Sequence, residues 1–210
     1  MKTLSHTIYN LRNKCILLKG RLNQLRAAWW GVQLGKGARF FGKTYFKRYP
    51  GTIISIGKKS TFRSNCDSNL IGVNRPCMIS THNSPFKAQI TIGNHCGFSG
   101  TVIGAFKNIY IGNHVRCGAN TLITDSDWHL DDPRSGMPAD VVIEDNVWLG
   151  VNSIVLKGVT IGANTVIGAN SVVTKSIPAN VIAAGNPCKV IRTLTPADKT
   201  EDKKKETAIY

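Results

Sequence analysis

From Ile143 the chain sets an aliphatic residue at every sixth position: Ile143, Leu149, Val155, Ile161, Ile167 and Val173. The hexads read IEDNVW, LGVNSI, VLKGVT, IGANTV, IGANSV and VTKSIP. Four places after each head stands a small or β-branched residue: Val147, Ser153, Val159, Thr165, Ser171 and then Ile177. Six heads in strict phase are improbable by chance. A six-residue period suits neither an α-helix nor a hairpin meander; it suits a solenoid of short strands with regular corners. The heads face inward and stack on equivalent heads above and below. Gly and Asn take the unusual backbone angles at the corners. Three hexads close a triangular coil, and coils stack at the normal strand spacing of about 4.8 Å.

The pattern extends upstream in broken phase through IGNHVR, CGANTL, IGNHCG, IGKKST, FRSNCD, LGKGAR and FFGKTY. A residue is inserted between the run at 92 and 98 and the run at 111. Residues 34–192 therefore predict about eight coils once excursions are removed, a prism on the order of 40 Å tall. From Ile123 to Ile143 the offset is twenty rather than eighteen, so residues 124–142 form an excursion from the repeat.

The first 33 residues follow a different rhythm. Leu4, Ile8, Leu11, Cys15, Leu18, Leu22, Leu25 and Trp29 alternate steps of four and three, a heptad stripe on a helix. Lys and Arg at 12, 14, 19, 21 and 26 lie off it. Gly20 weakens this helix by about 1 kcal/mol. Two readings follow: the stripe packs on the prism end or against other copies, or a basic amphipathic helix lies on a membrane with Trp29 and Trp30 at headgroup level. The tail, residues 193–210, is charged and poor in apolar residues, and disorder is expected there.

Charge sharpens this division. The net charge is +15. Residues 1–66 hold fourteen Lys and Arg and no acid, the first acid being Asp67. The remainder is nearly neutral. No helix-turn-helix, zinc-finger or RNA-binding signature accompanies the basic front, so nucleic acid is not the expected partner; an anionic substrate or membrane surface fits. No stretch is long and apolar enough to span a bilayer, and no secretory signal stands out. Six cysteines without CxxC or zinc-ligand spacing point to a reduced, cytoplasmic chain. Cys66 and Cys96 fall four places after a head and Cys117 is a head, all inward positions.

The excursion TDSDWHLDDPRSG concentrates the candidate chemistry. It holds His129 among Asp125, Asp127, Asp131 and Asp132. Imidazole, with an ordinary pKa near 6.5, suits a general base. A carboxylate on its second nitrogen would fix the tautomer. Asp127 is the candidate orienter; Asp125 could serve instead, or bind sugar hydroxyls. The bland alternative is a solvated acidic loop. His95 and His114 share the fourth place of an IGNH hexad, a corner position facing solvent. His82 lies outside the clear hexads, within reach of a cleft, and is a candidate for substrate contact. No set of three convergent histidines is evident for a metal.

The hexads, together with NVWLG, VTKSIPANVIAAGNPCKVIR and DSDWH, resemble the left-handed β-helix acyltransferases. The similarity is greatest to galactoside and maltose acetyltransferases and to enzymes that acetylate capsule and exopolysaccharide sugars. It covers residues 88–192 well, thins over 34–87 and is absent before 34. The usual crossover preference is right-handed, so the left hand is what the resemblance implies. It also implies a homotrimer using acetyl-CoA to acetylate a sugar or glycan acceptor, with His129 as base. CoA contacts carried over by position fall on Trp148, Val151, Ala169, Thr174, Lys175, Lys189 and Arg192. Val151 stands where relatives carry serine, but only its backbone N–H is needed for the oxyanion. Lys189 replaces a common arginine and loses bidentate phosphate binding. Near Ser99 and Gly100, the asparagine that holds sugar in the galactoside and maltose enzymes is missing. The SG pair is closer to the polysaccharide-modifying enzymes, which implies a role in surface polysaccharide or lipopolysaccharide assembly, in the cytoplasm or at the inner face of the membrane. N-acetylation of an amino sugar, xenobiotic acetylation and a non-catalytic binding solenoid are the alternatives.

Overall fold

The computed structural model describes residues 4–195, without the side chains of residues 12–14, 16, 17 and 19. The expected disorder of the tail concerns residues 196–210 almost wholly, and these lie outside the described residues. Helix α1 (Leu4–Trp29) precedes a left-handed parallel β-helix. The first coil is β1 (Gln33–Leu34), β2 (Arg39–Phe41) and β3 (Tyr45–Lys47). The second is β4 (Ile53–Ile56), β5 (Thr61–Arg63) and β6 (Met78–Thr81). The third is β7 (Gln89–Ile92), β8 (Gly97–Ser99) and β9 (Val102–Ala105), and the fourth is β10 (Asn108–Ile111), β11 (Arg116–Ala119) and β12 (Leu122–Thr124). The fifth is β13 (Val141–Ile143), β14 (Trp148–Leu149) and β15 (Ile154–Val155), and the sixth is β16 (Thr160–Ile161), β17 (Val166–Ile167) and β18 (Val172–Val173). The chain ends in β19 (Val181–Ala184), parallel to β17, and β20 (Lys189–Thr193), antiparallel to β19.

Each coil gives one strand to each of three sheets. We call the sheet through β1 and β16 the first, that through β2 and β19 the second, and that through β3 and β18 the third. The heads from Ile143 to Val173 are all fully buried, as are the small residues four places on, apart from slight exposure at Val147 and Ile177. The corners rest on left-handed residues: Asn146, Asn152, Asn164 and Asn170 have φ between 56° and 58°. Their side chains form ladders between coils, Asn146 donating to Asn164 at 3.0 Å and Asn152 to Asn170 at 3.2 Å. Asn suits this because its short amide tolerates the left-handed region and can bond its neighbour. In the second sheet the core column begins with three rings. Phe62 lies between Phe40 and Phe98, with centroids 5.1 Å away on either side and planes 12° apart.

Three expectations need correction. The prism has six complete coils and a partial seventh rather than eight, about 30 Å at the usual spacing. The difference is a second excursion, residues 64–77, between β5 and β6. It is held down by polar bonds: Asn120 Nδ2 donates to Gly72 O at 2.8 Å, its Oδ1 accepts the Asn74 amide at 3.1 Å, and the Arg75 guanidinium reaches the Asn120 and Gly100 carbonyls. Cys66 lies in this excursion and is exposed, whereas Cys96 and Cys117 are buried in the core. Finally, α1 packs on the prism end, but by a face other than its heptad stripe. Among its described side chains and glycine, Gly20, Asn23 and Ala27 are the buried positions. Asn23 donates to Gly42 O at 2.9 Å and accepts the Thr44 amide at 3.0 Å. A Cβ at Gly20 would stand 3.1 Å from Phe40 O, so the glycine that lowers helix propensity is also what lets α1 approach the first coil closely.

Candidate active site

The chain leaves the third sheet at Thr124 and rejoins the first at Val141. Two rungs close the base of this loop. Asp125 forms the first: its backbone carbonyl accepts the Ala139 amide at 3.0 Å. Its carboxylate, fully buried, takes the Phe106 and Lys107 amides at 2.8 and 2.7 Å. Those two amides sit at the corner of the coil below, where the hexad phase slips by one residue, and Asp125 satisfies donors that the irregular corner leaves over. Burial pushes the Asp125 carboxyl above the usual carboxylate range, against the pull of these amides. Asp127 makes the second rung. Its Oδ2 accepts Lys157 Nζ at 2.5 Å and the Gly136 amide at 3.2 Å, and the lysine holds its pKa low.

Above the rungs the indole of Trp128 anchors the loop. Its Nε1 donates to Thr124 Oγ1 at 3.0 Å, and its amide donates to Ser126 Oγ at 3.1 Å. The Trp128 backbone is left-handed, φ 72°, an uncommon conformation for a bulky residue that the surrounding contacts must hold in place. The ring meets His82 edge-on at 4.6 Å and Phe106 at 5.5 Å, while His82 stacks on Phe106 at 4.7 Å. His129 follows, exposed, its carbonyl accepting the Asp132 amide at 3.1 Å. Asp132 is held low chiefly by Arg134, with a smaller contribution from His129.

The sequence reading of the carboxylates is thus revised. Asp127 is bound to Lys157 rather than to His129. Asp125 is sealed beneath the loop, with its oxygens on backbone amides and unavailable to a sugar. Ser99 is also buried, its Oγ accepting Asn69 Nδ2 at 3.2 Å from the excursion at residues 64–77. That brings an asparagine to the place where the repeat itself carries none. Trp128, Lys157 and Asn69 are the residues sequence reasoning missed. Only Trp128 had a signal, as the neighbour of the candidate base.

His82 is half-buried, its Nε2 2.9 Å from Ser80 Oγ. Burial first, and the charge of Lys47 second, lower its pKa below 6.5. In the window between the folded value and the unfolded value of about 6.5, the unfolded chain binds more protons, so stability rises with pH. The thermal midpoint is expected to fall on acidification from neutrality through this window, and to fall less in His82→Gln. Equal slopes in both proteins would remove His82 from this role.

The residues proposed for CoA lie along the later coils. Trp148 is exposed on β14, and Val151 and Ala169 stack at one corner, where Val151 O accepts the Asn170 amide at 2.8 Å. Thr174 and Lys175 are exposed after β18, and Lys189 and Arg192 are exposed on β20. They are surface positions spread over the second sheet, the corner after it and the turn after β18. His95 and His114 occupy left-handed corners, φ 58° and 57°, exposed and stacked at 5.0 Å. Among the described residues no three His, Cys, Asp or Glu side chains converge as a metal site.

The sequence of residues 140–175 matches the bacterial transferase hexapeptide (six repeats) pattern. The match spans the fifth and sixth coils, where the six-residue period is strictest. The chain is 45% identical over 116 residues to a galactoside O-acetyltransferase of Lactococcus lactis, covering 52% of this chain and 55% of that one. It is 36% identical over 120 residues to the Escherichia coli galactoside O-acetyltransferase, covering 54% and 59%. It thus spans about half the length of these relatives. Among solved structures, the N-acyltransferase AntD from Bacillus cereus, in complex with dTDP and 3-hydroxybutyryl-CoA, has the same fold. The TM-score is 0.65 at 19% identity, over 89% of this chain and 96% of that one.

Proposed function

We propose that this protein is an acetyltransferase that moves acetyl from acetyl-CoA to a sugar hydroxyl, in the cytoplasm, during assembly of a surface polysaccharide or lipopolysaccharide. The observation that carries the reading is an exposed histidine, His129, on a loop fixed at its base by Asp125 and Asp127 and braced by Trp128. The kinship with galactoside O-acetyltransferases supports it.

His129 takes the proton of the acceptor hydroxyl as that oxygen attacks the thioester carbonyl. The amide of Val151 donates to the oxyanion of the tetrahedral intermediate. As the carbon–sulfur bond breaks, the imidazolium returns its proton to the CoA thiolate, leaving acetylated sugar and free CoA. Trp148, Ala169 and Thr174 line a strip for the pantetheine arm, and Lys175, Lys189 and Arg192 meet the phosphates. A neighbouring copy in a homotrimer completes the strip.

The test is CoA thiol release from acetyl-CoA with a panel of sugars, nucleotide sugars and glycan extracts. Turnover with a hydroxyl acceptor supports the reading. Turnover with amino sugars alone makes it an N-acetyltransferase, a class also found among the relatives. No acetyl-CoA binding sinks it. The loop brace is testable at Gly104, where an added Cβ would stand 2.6 Å from Trp128 Cζ2. Gly104→Ala is expected to displace the indole, alter its fluorescence and lower the rate about 100-fold, with acetyl-CoA affinity retained. An unchanged rate would deny Trp128 its role in positioning His129.

A further inference from the structure

The stripe of α1 is left without a partner by the way the helix docks. Because Gly20, Asn23 and Ala27 face the prism, the opposite side carries Leu4, Leu11, Leu18 and Leu25 at intervals of seven, with Ile8, Cys15, Leu22 and Trp29 between them. The exposure of its large apolar residues runs from 52% at Leu22 to 89% at Trp29. The bonds of Asn23 to Gly42 and Thr44 fix the rotation of the helix, so the stripe cannot turn inward without breaking them.

What covers it is decided by charge. Arg26 flanks the stripe on one side and Arg21 on the other, and every charged residue in 1–33 is Lys or Arg. In a parallel coiled coil of this helix with its own copy, Arg21 meets Arg26. An antiparallel pair also sets base against base. No acid exists in residues 1–66 to relieve either arrangement. A surface of anionic headgroups neutralises both flanks at once and takes the leucines into its acyl boundary. Trp29 and Trp30, both exposed, stand at the end of the stripe, where an aromatic ring suits the headgroup layer. No helix among the described residues is long and apolar enough to cross a membrane, so the contact is with the surface.

We propose that α1 is a peripheral membrane anchor, laying its leucine stripe on an anionic bilayer with the prism held above it by the opposite face. The proposal stands independently of the acetyltransferase reading.

The test is co-sedimentation of the full chain with vesicles of phosphatidylcholine alone, or with a minority of phosphatidylglycerol. Binding is expected only to the mixed vesicles, with release at ~1 M salt, where the Debye length is about 3 Å. The triple variant Leu11→Gln, Leu18→Gln, Leu25→Gln changes only exposed side chains; it should keep its circular dichroism and lose at least about tenfold in partitioning. Arg21→Gln should weaken binding to a lesser degree. Failure of the natural chain to bind mixed vesicles overturns the proposal, as does a triple variant that binds equally well. A natural chain that sediments without lipid as a larger assembly than the variant also overturns it, because the stripe then belongs to a second copy.

Discussion

Replacing His129 with alanine is expected to slow acetyl transfer by about 10²- to 10⁴-fold, the usual contribution of a positioned general base. At about 1.4 kcal/mol per factor of ten this is roughly 3–5 kcal/mol of transition-state stabilisation. The affinity for acetyl-CoA should stay within about twofold of natural, because the proposed CoA strip lies on the later coils. The imidazole is exposed and its ring supports no buried contact, so the fold should be untouched. Single-turnover thiol release, with donor binding measured in the same samples, separates the two effects. Full activity in the variant would leave the fold in place and remove His129 from the chemistry, with the half-buried His82 behind Trp128 as the next group to test. Asp127→Asn is informative beside it. Since that carboxylate holds Lys157 and Gly136, its loss should act through the placement of the loop.

Phe62→Ala is expected to cost about 3–5 kcal/mol of stability. The ring is fully buried and stacked on both faces. Alanine leaves a cavity bounded by Phe40 and Phe98 and removes two aromatic pairs worth about 0.5–1.5 kcal/mol each beyond their burial. In a chain of this size the midpoint should drop by roughly 6–20 °C. A solenoid coil touches only its neighbours. Hydrogen exchange should therefore quicken in β2, β5 and β8 well before it does in β17 or β18. A loss below about 1 kcal/mol, or uniform acceleration along the prism, would contradict this account of the core.

The later coils could be read from the sequence because each hexad combines a buried head with a small or β-branched residue four places on, and four of the six add a left-handed asparagine. The excursion at residues 64–77 could not be read. Phe62 heads a proper hexad and Cys66 falls where a small core residue belongs, yet the chain departs at Ser64. Nothing periodic marks the departure, since its anchors, Arg75 and Asn120, are polar and lie far apart in sequence. The orientation of α1 was hidden for a related reason. Burial assigns leucines to the interior, but docking here depends on close backbone approach at Gly20 and on the amide of Asn23. Within the loop, a carboxylate near a histidine in sequence reads as its partner. In three dimensions Asp125 serves an irregular corner and Asp127 a lysine thirty residues away.

The two ends of the prism have a further consequence. A parallel β-helix has no inherent length: its last coil presents unpaired strand edges on which another coil could grow. Here α1 lies across the first coil, and the chain reverses at the other end, so that β20 runs antiparallel along β19. The reversal breaks the parallel register that a following coil would need, and the helix covers the opposite mouth. These terminators are what keep the solenoid a discrete particle rather than the seed of a fibre.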